Sequence, residues 1–205
     1  GTVKLSIQSG ALEALIQNGG AIRSEGGTIL LTAQAADALS RTVIKNTGSI
    51  EAQSLSTGPN GEIVLKGGLN DRIEVGGTLD ASAPAGGSGG FIETSAGEVS
   101  LSNDLRVTTA SLNGSFGKWL IDPEIIEIIA GSGGSVSGLP ALGTSQIGTI
   151  TLSNALNSTD VDLNASGWID FKTDFNYDGS RPAVLSLYAP VIKLGGNIST
   201  SNVKL

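Results

Sequence analysis

The segment Asp174-Phe175-Asn176-Tyr177-Asp178-Gly179 has the spacing of the first half of a calcium-binding loop. In such a loop, carboxylate and amide oxygens at alternate positions converge on the ion, and the glycine permits a sharp turn. The pattern therefore predicts Asp174, Asn176 and Asp178 as calcium ligands, and the sequence predicts no other cofactor. The twelfth position is Leu185 instead of the bidentate glutamate of a calcium loop, so an ordinary acidic turn is the alternative.

Aromatic side chains concentrate just before and within this segment. In an extended strand, alternate residues share a face, which puts Phe171 and Tyr177 on one face and Trp168 on the other. Exposed aromatic side chains often anchor protein or sugar partners. The sequence therefore predicts Trp168, Phe171 and Tyr177 as partner-binding residues, with core packing beneath a loop as the alternative.

Paired carboxylates occur where a strand would present them on one face, as Asp160 with Asp162 and Asp170 with Asp174. Carboxylate pairs of this kind carry out acid and base catalysis in enzymes that cleave polysaccharides. Any acidic strand produces the same pattern, however, and no cluster of basic residues accompanies it. We therefore expect no enzymatic activity, and a carbohydrate-active enzyme remains an alternative function.

Two residue types that dominate catalytic and metal sites are absent, because the chain of 205 residues contains no histidine and no cysteine. The net charge of -7 argues against binding to nucleic acid or to an anionic membrane, since both require basic patches. No apolar run approaches the roughly 20 residues that span a bilayer, so membrane insertion is not expected.

The composition favours thin, layered β structure. Glycine contributes 30 residues and aromatic residues only 4% of the chain, so aliphatic side chains must build the core. Apolar and polar residues alternate, as in Val3, Leu5 and Ile7 with polar neighbours between them. This period of two is typical of strands with one buried face, and it predicts an all-β protein.

A ten-residue unit recurs about every 29 residues, at 15 to 24, 43 to 52 and 72 to 81, and again at 191 to 200. Each copy has a strand, a corner containing glycine and a second strand. A third strand follows, beginning with glycine and an isoleucine two residues later, at 27 to 29, 61 to 63 and 90 to 92. Three strands per repeat predict a parallel β-helix of about seven coils. A pair of immunoglobulin-like sandwiches is the alternative, but it requires no such repeat.

Equivalent residues of successive coils would then lie above one another, which predicts the ladders Ile22/Ile50/Leu79 and Ile29/Ile63/Ile92. Asn18 and Asn46 occupy matching corner positions, where their side chains are expected to stack. The segments 53 to 60 and 82 to 89 vary in length between repeats, so we expect projecting loops there.

We expect one domain over 1–205, with regular coils over 1–116, an irregular interruption over 117–147 and further coils over 148–205. Within the interruption, residues 125 to 130 are rich in isoleucine, which favours a strand over a short helix. Residues 131 to 147 are expected to form a long loop, and strands are expected to resume at Gly148-Thr149-Ile150.

Three phrases resemble the filamentous-haemagglutinin-like family of two-partner-secretion exoproteins. They are GGTILLTAQAADALSRTVIKNTGSIEA at 26 to 52, GTLDASAPAGGSGGFIETSA at 77 to 96 and GKWLIDP at 117 to 123. Similar phrases occur in haem-haemopexin utilisation exoproteins and high-molecular-weight adhesins, in the region that follows the secretion domain. The resemblance implies a right-handed β-helix that is a fragment of a longer exoprotein. It also implies export through an outer-membrane transporter, which recognises a region of the exoprotein outside this fragment. The exported protein is then secreted to the surface of a Gram-negative cell.

These observations favour a structural and adhesive segment that contacts a host cell-surface, matrix or plasma protein, or a glycan. The alternative binding function is a platform that captures one host protein, such as haemopexin, through the loops at 53 to 60, 82 to 89 and 131 to 147.

Overall fold

The computed structural model describes residues 1–7, 15–34, 42–55, 60–134 and 143–204. Strands are numbered in chain order. The largest sheet, here called the main sheet, contains eight parallel strands: β1 (Thr2–Ile7), β4 (Thr28–Ala33), β7 (Glu62–Lys66), β10 (Phe91–Ser95), β13 (Lys118–Asp122), β16 (Asp160–Asn164), β19 (Ala183–Tyr188) and β22 (Val203–Lys204).

The remaining strands form smaller parallel sheets. The second sheet contains β2 (Ile16–Asn18), β5 (Thr42–Asn46), β8 (Arg72–Val75) and β11 (Glu98–Leu101). The third contains β3 (Ala21–Arg23), β6 (Ser49–Glu51), β9 (Thr78–Asp80) and β12 (Arg106–Thr108). The fourth has the order β15 (Thr144–Gly148), β14 (Ile125–Ile129), β17 (Trp168–Phe171) and β20 (Val191–Leu194), and a final pair joins β18 (Phe175–Tyr177) to β21 (Ile198–Thr200).

Strand pairing follows the sequence repeat. In the main sheet each strand pairs with the one three places later in the chain, because two parallel neighbours need a crossover connection between them. Ile22 pairs with Ile50, and Ile50 pairs with Leu79. Ile63 pairs with Ile29 on one side and with Ile92 on the other. The predicted all-β fold with parallel sheets and both predicted ladders are therefore confirmed.

The residues of these ladders form the core. Ile29, Ile50, Ile63 and Leu79 are all fully buried, and burying each such side chain contributes about 1.5 to 3 kcal/mol. Trp119 continues the ladder after Ile92 and is also fully buried. Its indole nitrogen needs a partner there, and it donates a hydrogen bond of 3.1 Å to the Thr94 hydroxyl.

A buried polar ladder marks one corner of the repeat. The Asn18 amide donates to the side-chain oxygen of Asn46 at 2.8 Å, and the Asn46 amide donates to the Gly76 carbonyl at 2.7 Å. The predicted stacking of the two asparagines is confirmed. At the same corner Gly77 has φ +63°, and a Cβ there would lie 2.1 Å from the Gly48 carbonyl oxygen. Only glycine fits such a position without strain.

The predicted interruption begins later than residue 117. Lys118–Asp122 forms β13, which pairs with β10 and β16 as a regular member of the main sheet. Ile125–Ile129 forms β14, so the strand predicted there is confirmed. The repeat would place β14 beside β11, but β14 pairs with β15 and β17, so the chain departs from the repeat at β14. The predicted loop over 131–147 ends in β15. Residues 135–142 of that loop lie outside the described residues.

Strands do not resume at 148 to 150, and this prediction is wrong. Thr149–Leu156 forms the helix α1. Its buried residues are Thr151, Leu152, Ala155 and Leu156, a spacing that repeats every turn of a helix. The helix packs against β12, β15, β16 and β18, so burial of this stripe outweighs the strand preference of the threonines and isoleucine that precede it.

Candidate functional site

The predicted calcium ligands lie along an extended strand. Phe175–Tyr177 forms β18, and Asp174, Asn176 and Asp178 are exposed at alternate positions. Asp174 accepts a hydrogen bond of 2.8 Å from the backbone nitrogen of Asn197. Calcium binding by these three residues stays a prediction.

Two of the predicted partner-binding residues belong to the core. Phe171 and Tyr177 are 0% and 1% exposed, so they do not reach a partner, and the prediction is wrong for both. The Tyr177 hydroxyl lies 3.2 Å from the carbonyl oxygen of Leu156, which ties β18 to the end of α1. Trp168 keeps partial exposure, and the Lys193 ammonium lies 4.6 Å from its ring centroid.

The acidic residues of β16 are engaged with cations that the sequence does not place beside them. Lys118 lies 2.7 Å from the Asp162 carboxylate, and this hydrogen bond raises the pKa of Lys118. Arg181 pairs with Asp160 and also lies over the Phe116 ring, 4.3 Å from its centroid. These ion pairs hold both carboxylates in fixed contacts, which favours a structural role for them.

The loops predicted for partner capture have different outcomes. In the segment 82 to 89, Ala83 is fully buried, and its backbone nitrogen donates to the Ala110 carbonyl at 2.8 Å. This insert is therefore paired with the next repeat at Ala83 and does not project there. Residues 56–59 of the first loop lie outside the described part of the chain.

A groove of about 520 Å³ lies at one edge of the main sheet, and we call it the Asp122 groove. Lys66, Ser95 and Asp122 are the last residues of β7, β10 and β13, and they are paired in register. Parallel strands end at the same edge of a sheet, so the three side chains line the groove together. Leu69 and Glu124 also line it, and Leu69 is 86% exposed.

The electrostatics of the groove centre on Asp122. Burial raises the pKa of Asp122, the nearby Glu93 carboxylate raises it further, and Lys66 acts against both. Lys66 lies 3.6 Å from Glu93, which accepts a hydrogen bond of 2.7 Å from the Ser95 hydroxyl. The groove thus combines a carboxyl group with a raised pKa, a cation and an exposed leucine. Such a set offers hydrogen-bond donors and acceptors around an apolar contact.

Reasoning from the sequence missed this groove because its residues are more than 25 positions apart. A signal was nevertheless present. Lys66, Ser95 and Asp122 each lie five residues after the glycine that precedes their strand, so the repeat itself places them in one row.

Comparisons with protein-family models, with curated proteins and with solved structures each gave no match. Among the described residues, no helix has the length and apolar character needed to cross a membrane.

Proposed function

We propose that this chain is a right-handed parallel β-helix that serves as a structural and adhesive segment of a secreted exoprotein. The observation that carries the proposal is the in-register main sheet, in which eight strands repeat at every third position. The chain visits the main, second and third sheets in turn before it returns beside its starting strand. About seven such coils, three strands each, account for the described strands, with α1 in place of one of them.

A stack of this kind is suited to be a rigid shaft. Each coil buries its apolar side chains only against its two neighbours, so length can increase without a larger core. The chain has no cysteine, which suits passage of an unfolded chain through a narrow pore, since no disulfide closes a loop beforehand. The phrases that resemble those of filamentous-haemagglutinin-like exoproteins support export by two-partner secretion to the surface of a Gram-negative cell. The transporter then recognises another part of the exoprotein.

The Asp122 groove is the surface we assign to adhesion. Leu69 is almost fully exposed, and an exposed leucine beside paired charges suits contact with a host surface or matrix protein. The ordered strands beneath Lys66, Ser95 and Asp122 hold the polar groups in place, which limits the entropy lost on binding.

Binding to defined host proteins tests the proposal. The purified chain is passed over immobilised fibronectin, laminin, collagen and haemopexin by biolayer interferometry. We expect saturable binding to at least one matrix protein and a loss of affinity in Leu69→Ala. Leu112→Ala removes another exposed leucine, 71% exposed and outside the groove, and is expected to bind as the parent chain does.

Each other outcome contradicts the adhesive assignment in a different way. Saturable binding to haemopexin alone would favour the capture platform. Equal loss of affinity in the two leucine variants would show that the Asp122 groove is not the binding surface. Release of reducing ends from a polysaccharide by the chain would favour a carbohydrate-active enzyme.

A further inference from the structure

The helix α1 opens a cleft in the regular stack. It lies between β12 on one side and β18 on the other, where the repeat would place a strand. Neighbouring strands are about 4.8 Å apart, whereas a helix with its side chains is about 10 Å wide. The helix contacts β12 but does not fill the space beside it, and a cleft of about 530 Å³ lies next to this contact. We call it the α1 cleft.

The walls of the α1 cleft are polar and balanced in charge. Asn103, Asp104 and Arg106 line one wall, and Asn154 and Ser158 line the other. A hydrogen bond from Ser102 lowers the pKa of Asp104, so this carboxylate is ionised at neutral pH. One carboxylate and one guanidinium leave no net charge, and the two asparagine amides each add donors and an acceptor.

The edge of β12 adds backbone groups to the cleft. The backbone nitrogen of Arg106 donates to the Gly77 carbonyl, and the Thr108 carbonyl accepts from the backbone nitrogen of Ala81. The backbone groups of Arg106 and Thr108 therefore point to the side of β12 on which β9 lies. Val107 lies between them and directs its backbone groups to the opposite edge, as alternation in a parallel strand requires. Its carbonyl accepts a hydrogen bond of 2.7 Å from the Ser158 hydroxyl. The Val107 N–H thus faces the cleft.

We propose that the α1 cleft binds a neutral saccharide, with Asp104 and Arg106 as the main contacts. Adjacent hydroxyl groups of a sugar each donate and accept hydrogen bonds, and a carboxylate, a guanidinium and amides on facing walls match them. A ligand of a single charge is attracted by one of these two groups and repelled by the other, so the pair gives it no net advantage over a neutral ligand with many hydroxyl groups. The α1 cleft and the Asp122 groove have no lining residue in common, so this inference does not depend on the adhesive role of that groove.

Saturation-transfer NMR tests the inference with glucose, galactose, mannose, N-acetylglucosamine and lactose. We expect signal transfer to at least one of them, with half-saturation at about 1 mM or below. Asp104→Ala and Arg106→Ala are each expected to weaken binding about tenfold, the usual effect of losing a charged hydrogen bond. Asn154→Trp fills the cleft and is expected to abolish the signal.

The controls separate binding in the cleft from loss of folding. Asp104, Arg106 and Asn154 are exposed, so the three variants are expected to keep the circular dichroism spectrum of the parent chain. Asp122→Asn, in the other groove, is expected to bind the saccharide unchanged. The proposal is overturned if none of the five sugars binds, or if the folded cleft variants bind as well as the parent chain.

Discussion

Individual residues show that the environment, and not the residue type, sets the behaviour of the acidic groups. Burial opposes the charged form of Glu74 as well, but hydrogen bonds from Lys45 and Thr42 outweigh it and lower the pKa of Glu74. Asp122 has the reverse balance, because burial and the neighbouring Glu93 together raise its pKa. The stability that Glu74 contributes is therefore lost as pH falls, whereas the stability that Asp122 contributes is lost as pH rises.

Asp122→Asn is expected to remove one loss of stability that occurs as pH rises. Because the folded-state pKa of Asp122 is raised, the folded protein binds this proton more tightly than the unfolded chain does. The resulting stabilisation is complete below the unfolded pKa of about 4 and is lost as pH rises through the raised folded-state pKa. Urea unfolding at several pH values from 3 to 7 measures the effect. Identical pH profiles for the parent and the variant would contradict this account of Asp122.

Asn46→Ala is expected to destabilise the fold by about 2 kcal/mol. The change leaves the buried Gly76 carbonyl without its hydrogen bond from Asn46 and removes one of the two acceptors of the Asn18 amide. Asn113→Ala provides the control, since Asn113 is exposed, and it is expected to change stability by less than about 0.5 kcal/mol. Equal midpoints of chemical unfolding for both variants would show that the asparagine ladder contributes nothing.

Among the secondary-structure elements, the strands of the repeat were predictable, whereas β15 and the helix were not. The position of Gly-x-Ile in each repeat predicts Ile29, Ile63 and Ile92 as one ladder, because parallel pairing brings equal positions of successive repeats together. The helix has no repeated copy with which to align. Its buried stripe of Leu152, Ala155 and Leu156 is short and lies among threonine and serine residues that favour strands and turns. Only tertiary packing therefore makes this segment helical.

Leu152→Ala is expected to destabilise the protein by about 3 kcal/mol, because it leaves a cavity beneath α1. Leu152 is fully buried, whereas Ile150 on the same helix is 51% exposed. Ile150→Ala is therefore the matched control and is expected to cost less than about 0.5 kcal/mol. Thermal unfolding of both variants checks the prediction. A similar loss of stability in both would mean that α1 does not bury the face described.

In the molecule as a whole, the sequence repeat determines which strands pair, but it determines the Asp122 groove and the α1 cleft only indirectly. The Asp122 groove follows from one row of the repeat, and the sequence contains that row. The α1 cleft follows from the mismatch between the width of a helix and the spacing of strands, which no residue pattern records. Phe171 and Tyr177 show the same limit, because alternation gives the face of a side chain but not whether another element covers that face.

Residues one repeat apart lie directly above one another in the main, second and third sheets. Because the chain contains no cysteine, introduced cysteine pairs report on this without interference. The test pairs are Ser6/Thr32 in the main sheet, Gln17/Lys45 in the second and Ala21/Ser49 in the third, all in register. Neighbouring strands lie within the Cα range of a disulfide, whereas strands two places apart do not.

Formation of intramolecular disulfides under mild oxidation of the native protein is the decisive measurement. The account predicts that each of the three double-cysteine variants forms its disulfide, as shown by protection from alkylation and by mass. The variant with cysteines at Ser6 and Lys66, two strands apart, is predicted to remain reduced. If any of the three pairs remained reduced, or if the Ser6/Lys66 pair formed a disulfide as readily, the stacked arrangement would be contradicted.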